Sequence, residues 1–551
     1  AALSLQSDSQ GRVVQVADAS DTGSGRTVRY TWSGAGASSQ LAQVTDVLGH
    51  TWKYEYNAQG QITRRVDPLG ASIELQYMTS PAMIPDSPGF AGMGAGGGTG
   101  GGGALASSGT GATKVSAPQI ARVASYRDES GARTNYRIEW DRVRQQYTVH
   151  TQEPSGLQRT QIYNKDGLIL SDSAGGLRSL QRSVDSASQE RLTDARGLIT
   201  TIEYNAARQP IRTIHPDGSV ETNAYDSQGR RTSHTNALGQ TSRWRYDAQG
   251  SVIQHTEAEG APEQRTTVSA YDPYGQLKSR TRGAGDGQGP DAVTERFEYD
   301  KRGNLIQRTD GLGRTSQASY NSQGQPLSQT NALNQTTRLS YDAAGNLLTV
   351  TNPLGQTLSH AYDARGRRTQ TTTAEGKVQR TRYNAGGQVI EVIAPGQREG
   401  SGLRTGYDSA GRPVKTTSAG GLATTTAYDS LGRISQTTDP AGNVTTYEYG
   451  PEGSPLAGLL TAVNYPTYKE TYQYDQRNRQ TAVTQHLGQG QTRVQRQAYD
   501  AAGQRISATD PAGHSTLYQY DALGRLTQTT DALGGTTKQS WDAHEQLTSL
   551  T

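Results

Sequence analysis

The sequence has no cysteine among its 551 residues, and it has only 2 phenylalanines and 3 methionines. Without cysteine, a disulfide framework and any cysteine-based metal site are excluded. Hydrophobic residues make up 32% of the chain, against roughly 45–50% in ordinary globular domains, a figure that also counts Gly. A chain of this composition cannot fill a thick apolar core.

The sequence also lacks a charge excess and long apolar runs. Its 54 basic and 51 acidic residues leave a net charge of +3, which gives no drive toward nucleic acid or anionic membranes. No apolar run approaches the roughly 18–20 residues that span a bilayer, and no secretory signal is visible. Low hydrophobicity with so little net charge is not typical of disorder, so we expect an ordered, thin sheet with polar faces.

Tyrosine and glycine are abundant instead, with 29 and 65 residues, and they are periodic. An aromatic–Asp pair stands at Tyr499–Asp500, and it recurs 21 residues later at Tyr520–Asp521 and again at Trp541–Asp542. From Tyr204 onward this pair, or a variant with Asn or Gly in place of Asp, recurs in register, mostly at steps of 21 residues. A fixed period in the range of about 20–50 residues indicates a repeat architecture.

Each repeat predicts a β-hairpin. The segment 515–520 alternates as a half-exposed strand, and the turn Asp521–Gly524 follows it. Asp can bond the backbone two residues on, and Gly tolerates a positive φ. Residues 525–530 form the returning strand, and a second turn follows at 531–534. Short strands joined by tight turns give an antiparallel meander. We predict an all-β chain of such hairpins, wound as a continuous spiral sheet into a hollow, barrel-like shell.

The repeat anchors that we predict to be structural are the aromatic–Asp pair, the turn Gly and the Arg after it. They are Tyr341, Asp342, Gly345, Tyr362, Asp363, Gly366, Arg367, Tyr428, Asp429, Gly432, Arg433, Tyr520, Asp521, Gly524 and Arg525.

The regularity of the repeats divides the chain into four regions. Residues 1–77 and 119–203 carry degenerate repeats, and residues 204–551 carry regular ones that stop inside a repeat. Residues 78–118 are rich in Pro and Gly, which is typical of an inserted loop or linker. This loop has four possible roles: an inert loop, a pore plug, a processing site or a partner tether. We expect the chain to be a fragment of a longer protein.

No pattern in the sequence predicts catalysis. The nine His form no HxxxH or HExxH pattern, and there is no GxSxG elbow. The regular turn carboxylates are better explained by turn bonding than by acid–base work. The Arg after each turn Gly is better explained by pairing with Asp or stacking on Tyr than by phosphate binding. We therefore predict no catalytic, cofactor-binding or metal site, and no enzymatic activity for this segment.

The phrases YDALGRL at 520–526 and YDSLGRI at 428–434 closely resemble the YD repeat of the Rhs and teneurin proteins. The resemblance covers residues 200–551 strongly and 40–200 loosely. It implies a hollow β-cocoon, which in bacterial Rhs proteins encloses a variable C-terminal toxin. Many members are delivered by type VI secretion, and in toxin-complex relatives two YD-repeat proteins join into one shell. In teneurins a similar barrel serves extracellular adhesion.

The family's aspartyl autoprotease lies near a motif that ends in Asp-Pro-x-Gly-Leu. In this chain Asp67-Pro68, Asp439-Pro440 and Asp510-Pro511 begin similar phrases that lack the final Leu and occupy ordinary turn positions. We therefore expect the segment to be shell wall only, without the autoprotease and toxin regions.

From the resemblance we expect three kinds of partner: a C-terminal toxin cargo, other segments of the same shell, and a secretion-apparatus spike protein of the VgrG type. We expect no nucleic acid partner, no cofactor, and membrane contact only during delivery. The expected setting is interbacterial competition: a protein of bacterial origin, cytoplasmic before export, then secreted or delivered to a target cell. The alternative is an extracellular scaffold, teneurin-like in adhesion or binding carbohydrate.

Overall fold

The computed structural model describes residues 3–18, 26–81 and 119–551, and these residues form 46 β-strands. A short 3-10 turn at Gly36–Ser38 is the one helical segment within those ranges. The strands in chain order are β1 Leu3–Ser7, β2 Val13–Asp18, β3 Thr27–Ser33, β4 Gln40–Thr45, β5 Thr51–Tyr56, β6 Ile62–Val66, β7 Ser72–Pro81, β8 Gln119–Arg127, β9 Arg133–Asp141, β10 Gln146–Gln152, β11 Gln158–Asn164, β12 Ile169–Ala174, β13 Leu177–Ser186, β14 Gln189–Thr193, β15 Ile199–Tyr204, β16 Pro210–Ile214, β17 Val220–Tyr225, β18 Arg231–Thr235, β19 Thr241–Tyr246, β20 Val252–Glu257, β21 Arg265–Tyr271, β22 Leu277–Ala284, β23 Val293–Tyr299, β24 Leu305–Thr309, β25 Thr315–Tyr320, β26 Pro326–Thr330, β27 Thr336–Tyr341, β28 Leu347–Thr351, β29 Thr357–Tyr362, β30 Arg368–Thr372, β31 Val378–Tyr383, β32 Val389–Ile393, β33 Leu403–Tyr407, β34 Pro413–Thr417, β35 Ala423–Tyr428, β36 Ile434–Thr438, β37 Val444–Tyr449, β38 Leu460–Asn464, β39 Lys469–Tyr474, β40 Gln480–His486, β41 Thr492–Tyr499, β42 Arg505–Thr509, β43 Ser515–Tyr520, β44 Leu526–Thr530, β45 Thr536–Trp541 and β46 Leu547–Leu550.

Every strand pairs antiparallel with the strand before it and the strand after it in the sequence. The described chain is therefore one long meander, or ribbon, with the strands running across it. The two long sides of the ribbon are rows of turns. The YD row holds the turns that follow the aromatic–Asp strand ends, such as 363–366, and the opposite row holds the other turns, such as 352–355.

The strands alternate between a more covered and a more exposed face. In β43, Tyr518 and Tyr520 are half-buried, whereas Leu517 and Gln519 are exposed. Thr and Tyr suit such a surface because both pack on a pleated sheet and keep a polar group in water. This alternation agrees with the predicted half-exposed strands.

A register shift marks the aromatic end of each regular hairpin. Between Gln519 and Tyr520 the pairing slips by one residue, so that Tyr520 lies opposite Leu526. The same shift occurs before Tyr341, Tyr362 and Tyr428. A bulge of this kind bends the strand and increases the local twist, and its repetition curls the ribbon.

The curled ribbon returns on itself after about half of the chain. Ser409 Oγ donates to the backbone oxygen of Pro154 at 2.9 Å, across 255 residues. His544 Nε2 lies 2.8 Å from the backbone oxygen of Asp291, across 253 residues. Arg365 pairs with Asp67. The chain therefore winds as a spiral of roughly two courses, as predicted.

The two courses meet through turns and not through a strand ladder. Opposite-row turns of the first course, such as 153–156, face YD-row turns of the second course, such as 408–411. The long sides of a meander carry turns, and the backbone groups of these turns already bond within the turn. They are therefore not available to form a ladder with the other course. We call this line of contacts the seam.

The molecule has little core. Its accessible surface is 32218 Å², whereas a compact protein of 59.0 kDa would expose roughly 19,000 Å². The fully buried apolar residues among those described are Tyr147, Ala258, Ile393, Ala457, Ala462, Val463 and Ala482. A single-layer wall explains both observations, since each strand exposes two faces.

Most of the predicted insertion, residues 82–118, lies outside the described residues. Its first residues, 78–81, belong to strand β7, which ends at Pro81, and the chain resumes at β8 from Gln119. The described strands in 1–77 and 119–203 continue the same meander as the regular repeats.

Candidate functional site: the turn rows and the seam

Each YD-row turn is built around its Asp. Asp363 Oδ1 accepts the backbone N–H groups of Arg365 at 2.9 Å and Arg367 at 3.1 Å. Its backbone oxygen accepts the N–H of Gly366 at 2.9 Å. Gly366 adopts a φ of 73°, a left-handed conformation that strains a residue with a Cβ. The Asp and the Gly of the repeat therefore both stabilise the turn.

The Arg after the turn joins neighbouring hairpins. Arg367 Nε donates to Asp363 Oδ2 at 2.7 Å, and its Nη1 donates to the backbone oxygen of Asn384 in the next YD-row turn at 3.1 Å. Its guanidinium carbon lies 4.6 Å from the ring centroid of Tyr383. The Arg thus both pairs with Asp and stacks on Tyr, and it is fully occupied by the wall itself.

The other predicted anchors take the same places. Gly345, Gly432 and Gly524 have φ values of 96°, 79° and 82°. Arg433 bonds Asp429, and Arg525 bonds Asp521, each at 2.7 Å.

Turns without Arg replace the ion pair with matched neutral groups. Where Asn stands in place of Asp, Gln usually stands four residues later, and Asn384 Nδ2 donates to Gln388 Oε1 at 2.9 Å. Gln388 then reaches the next turn, where its Nε2 donates to the backbone oxygen of Gly411 at 2.6 Å. Asp342 instead accepts from Asn346 Nδ2 at 2.8 Å. In these turns both residues change together, so that donor still meets acceptor.

The turn carboxylates of Asp226 and Asp439 are stabilised in their charged form. The backbone N–H of Arg230, followed by its guanidinium, holds the pKa of Asp226 below its usual value, although partial desolvation opposes this. At Asp439 the Asn443 side chain lowers the pKa first and its backbone N–H second. These causes belong to turn structure, and they leave the carboxylates poorly suited to accept a proton near neutral pH.

The repeat tyrosine caps the preceding bulge. Tyr362 Oη donates at 2.8 Å to the backbone oxygen of Leu347, the residue opposite the bulge of the hairpin before it. The same bond across 15 residues is made by Tyr56, Tyr77, Tyr225, Tyr246, Tyr320, Tyr362, Tyr383, Tyr428, Tyr449 and Tyr520. In units of other lengths it spans 14 to 22 residues, at Tyr271, Tyr299, Tyr407 and Tyr474.

A donor at the end of the ring is therefore favoured at this position. Trp541 replaces Tyr in the last repeat, and its indole Nε1 donates to the backbone oxygen of Leu526 at 2.8 Å. Phe has no such donor, which favours Tyr over Phe at these positions. Burial raises the pKa of the Tyr520 hydroxyl, so this group stays protonated and able to donate.

The seam joins the courses by ionic contacts. Arg265, 5% exposed, donates to Glu257 at 2.8 Å within its own course and to Glu545 at 2.7 Å in the next one. Burial disfavours the charged guanidinium, but the hydrogen bonds to the two carboxylates outweigh this effect and raise its pKa. The hydrogen bond from Arg265 lowers the pKa of Glu545.

Backbone groups and apolar contacts complete the seam. Arg196 donates to the backbone oxygens of Pro455 and Asp475, both at 2.7 Å. Gly175 makes room for Leu431, because a Cβ at Gly175 would lie 2.7 Å from Leu431 Cδ2. A Cβ at Gly458 would lie 3.1 Å from Leu177 Cδ2.

Sequence reasoning missed the seam residues, although one signal marks two of them. Where the repeat has its turn Gly, Asn478 and Glu545 keep a positive φ of 61° and 68°. Both side chains contact the first course, Asn478 at Arg196 and Glu545 at Arg265. A non-glycine residue at this position is strained. Arg208 and Asn334 show the same φ without a contact between courses, so the signal is not specific to the seam.

In the described ranges, no group of three or more His, Asp or Glu side chains is arranged to hold a metal ion. Among the same residues, no helix is long and apolar enough to cross a membrane. One cavity of about 250 Å³ lies along the seam, between Leu198 and Pro216 of the first course and Arg477 of the second.

Comparison with known families agrees with the repeat geometry. Residues 239–424 match the teneurin YD-shell family model. Residues 37–72, 407–444, 428–454, 499–536 and 523–551 match the RHS repeat. Together the two models cover more than half of the sequence. The chain belongs to the Rhs/YD-repeat family. No curated protein sequence matches this YD-repeat chain significantly.

One solved structure shares the fold of this YD-repeat chain, and others are less similar. A TcdB2–TccC3 structure without the hypervariable C-terminal region matches with a TM-score of 0.51 at 12% identity, over 99% of this chain and 34% of that one. A structure described as TcdB2–TccC3–TEV has a TM-score of 0.41 at 15% identity, over 98% and 35%. A Photorhabdus luminescens Tc holotoxin pore gives 0.30 at 15% identity, over 100% and 35%. The YD-repeat chain thus spans about a third of the length of these chains.

Proposed function

We propose that this chain is a wall segment of a toxin shell, which encloses a polypeptide cargo C-terminal to the repeats and keeps it from acting before delivery. The observation that carries the proposal is a ribbon wound in two courses whose repeat residues are all used to build the wall. Arg367, Asp363 and Tyr383 bond each other or the neighbouring turns. A wall of this kind acts by exclusion, so the segment needs no catalytic residue, cofactor or metal.

The similarity to the TcdB2–TccC3 structure supports this proposal. That structure is described as lacking the hypervariable C-terminal region, so a variable region belongs to the protein at its C-terminal end. In the proposal, this chain would likewise precede a variable cargo and join other segments of the same shell. A Tc-type holotoxin is the delivery route that the similar structures favour. The proposal has a second version that differs in the delivery route. In it, a bacterial protein is cytoplasmic before export, is delivered by type VI secretion with a VgrG-type spike, and acts in interbacterial competition.

Polar strand faces fit the cargo role. The face of β25 opposite Tyr320 carries the exposed Gln317 and Ser319, and the face of β35 opposite Tyr428 carries the exposed Thr425. Such faces offer hydrogen bonds but little apolar area, so an unfolded cargo would not adhere strongly to a wall that presented them. In this proposal neither nucleic acid nor a membrane is a partner of the wall before delivery.

The test uses the intact gene product and a protease. A domain downstream of the repeats should resist digestion while the wall is closed, and it should become sensitive when Arg265→Glu opens the seam. The matched control, Arg314→Glu, breaks an exposed pair with Asp310 and should leave the protection unchanged. Free digestion of the downstream domain in the unaltered protein would rule out encapsulation.

A second candidate function is an extracellular adhesion or carbohydrate-binding scaffold. The match of residues 239–424 to the teneurin YD-shell model favours it. Retention of the chain on a glycan array, together with a digestible downstream domain, would support this function over encapsulation.

A further inference from the structure

Arginine recurs at one position on the face of the ribbon opposite the repeat tyrosines. Arg296, Arg338, Arg380 and Arg404 each stand three residues before the repeat Tyr of their hairpin. Successive side chains of a strand lie on opposite faces, so this odd separation places each Arg on the face opposite the tyrosine face. All four side chains are exposed. We call these four residues the arginine stripe.

The stripe runs along the ribbon, from strand to strand. Its first and last members lie on β23 and β33. Neighbouring strands are about 4.8 Å apart, so the stripe extends over about 50 Å of the ribbon. Gln317 and Ser359 occupy the same position in the two hairpins between its first three members. The arginines are therefore one or two hairpins apart.

The four guanidinium groups have no carboxylate partner in the part of the chain that the structure describes. Glu391 lies opposite Arg404 in the strand register. It accepts instead from Arg382 at 3.2 Å and from the backbone N–H of Gly402 at 3.0 Å, and it is 3% exposed. A turn Arg such as Arg367, in contrast, is bonded on both sides by the wall. The stripe thus presents positive charge that the wall itself does not use.

The net charge of +3 understates the charge of this face, because carboxylates that offset it lie in the turns. Asp342, Asp363 and Asp408 each accept a backbone N–H of their own turn. Positive charge is therefore concentrated on the strand face, and negative charge lies along the turn rows. An anion that contacts only the strands meets the positive charge.

Hydroxyl and amide groups flank the stripe. Residues opposite each other in the register share a face, and those opposite the four arginines are Ser279, Thr309, Ser328, Thr351, Gln370, Glu391, Ile393 and Thr417. The last three are buried, so the accessible neighbours are the hydroxyls and the amide of the other five. The aromatic residues of β23–β34 lie on the tyrosine face.

From these observations we infer that the arginine stripe binds a linear anionic polysaccharide. Its sulfate or carboxylate groups pair with the guanidiniums, each of which offers two parallel N–H donors to such an anion. Its hydroxyls bond the flanking Ser, Thr and Gln side chains. The inference goes beyond encapsulation and does not depend on it.

Other anionic partners fit this face less well. Single-stranded nucleic acid is held by stacking of its bases on aromatic rings, and the rings lie on the other face. A protein partner needs buried aromatic or apolar anchors near the centre of its interface, and the stripe is flanked by hydroxyls. A DNA duplex binds through phosphates on two strands, whereas the stripe is a single row.

The first experiment titrates the chain with heparin, a sulfated polysaccharide, at about 0.15 M salt. The triple variant Arg338→Gln/Arg380→Gln/Arg404→Gln should bind about tenfold more weakly, since each exposed charge contact is worth only part of that factor. Its affinity should also depend less steeply on salt, because fewer counterions are released.

The matched control removes the same charge from exposed turns, as Arg142→Gln/Lys165→Gln/Lys301→Gln. This variant should bind heparin as the unaltered chain does. Equal losses in the two triple variants, or no binding by the unaltered chain, would overturn the inference. Urea midpoints confirm that both variants are folded.

A second experiment locates the contact. The chain has no cysteine, so Gln317→Cys places a single thiol between Arg296 and Arg338 on the face of the stripe. Ser316→Cys places one on the next residue, which is also exposed but lies on the tyrosine face. Heparin should slow maleimide labelling of Gln317→Cys, since a covered thiol must be uncovered before it reacts, and should leave Ser316→Cys unchanged. Equal effects on the two thiols would contradict the inference.

The class of partner is tested by competition. Polyglutamate, single-stranded DNA and duplex DNA, matched to heparin in charge, should displace heparin only weakly at the same salt concentration. Displacement by any of them at concentrations equal to heparin would overturn the assignment to a polysaccharide. These titrations report on the strand face, whereas the protease test reports on the enclosed domain, so either proposal can fail independently.

Discussion

Tyr518 and Tyr520, two residues apart on one face of β43, both hold Arg505 of the preceding strand, and they do so by different means. Tyr520 Oη donates to the backbone oxygen of Arg505 at 2.9 Å, and the Tyr518 ring lies 4.7 Å from the Arg505 guanidinium. We therefore expect Tyr520→Phe to destabilise the protein by about 1 kcal/mol, because it leaves a carbonyl without its donor. Tyr518→Phe keeps the ring and should cost less. Urea unfolding measures the free energy of unfolding of the two variants. Equal losses would show that the hydrogen bond of the Tyr520 hydroxyl adds nothing to stability.

The paired residues of each YD-row turn should behave as a unit. Asp429→Asn removes the carboxylate that Arg433 bonds at 2.7 Å, and we expect a loss of about 1 kcal/mol. The double variant Asp429→Asn/Arg433→Gln recreates the arrangement of Asn384 and Gln388 and should recover part of the loss. A double-mutant cycle measures this coupling. Strictly additive losses would contradict a matched pair.

The Arg at the seam should matter more than the Arg of an exposed turn. Arg265→Leu leaves Glu257 and Glu545 without their shared partner, and we expect a loss of about 2–3 kcal/mol, since Arg265 is buried but both carboxylates contact water. Arg314→Leu breaks an exposed pair and should cost less than about 1 kcal/mol. Denaturant unfolding compares the two variants. Similar losses would mean that the ion pair between courses contributes no more to stability than the ion pair within an exposed turn.

Acid should weaken the packing of His255 on Trp244. The two rings are stacked at 4.9 Å, and burial chiefly lowers the pKa of His255 below its ordinary value. The folded state then binds this proton less readily than the unfolded chain. The stabilising effect is complete above a pH of about 6.5 and is lost as the pH falls through the lower folded pKa.

His255→Phe keeps an aromatic ring and should therefore lose less stability than the unaltered chain between pH 7 and pH 5. Urea midpoints at the two pH values test this. An unchanged pH dependence in His255→Phe would contradict a role for that ring.

The features that the sequence predicted are those that form locally. Asp521 and Arg525 are four residues apart and form one turn, so a single repeat predicts their contact. The alternation of Tyr518 with Gln519 likewise follows from the strand period. These local rules were sufficient for the all-β class, the meander and the turn positions.

The seam could not be predicted in this way. Arg196 bonds the backbone of Asp475 across 279 residues, and that pairing depends on how many hairpins complete one course. The number is set by bulge and twist accumulated over the ribbon, which no single repeat encodes. The lengthened turn at 450–458, which brings Gly458 to Leu177, resembles an ordinary insertion in the sequence.

Pairing of every strand with its chain neighbours has a mechanical consequence. A pull on either end would open the ladder at one strand, and each detached hairpin would leave the next strand as the new end. The work would be divided into many small, similar steps, since contacts in such an array are mainly between nearest neighbours. Refolding could retrace the same path, because the required contacts are close in sequence. The ribbon can thus be unzipped and rewound from one end without first breaking its whole structure.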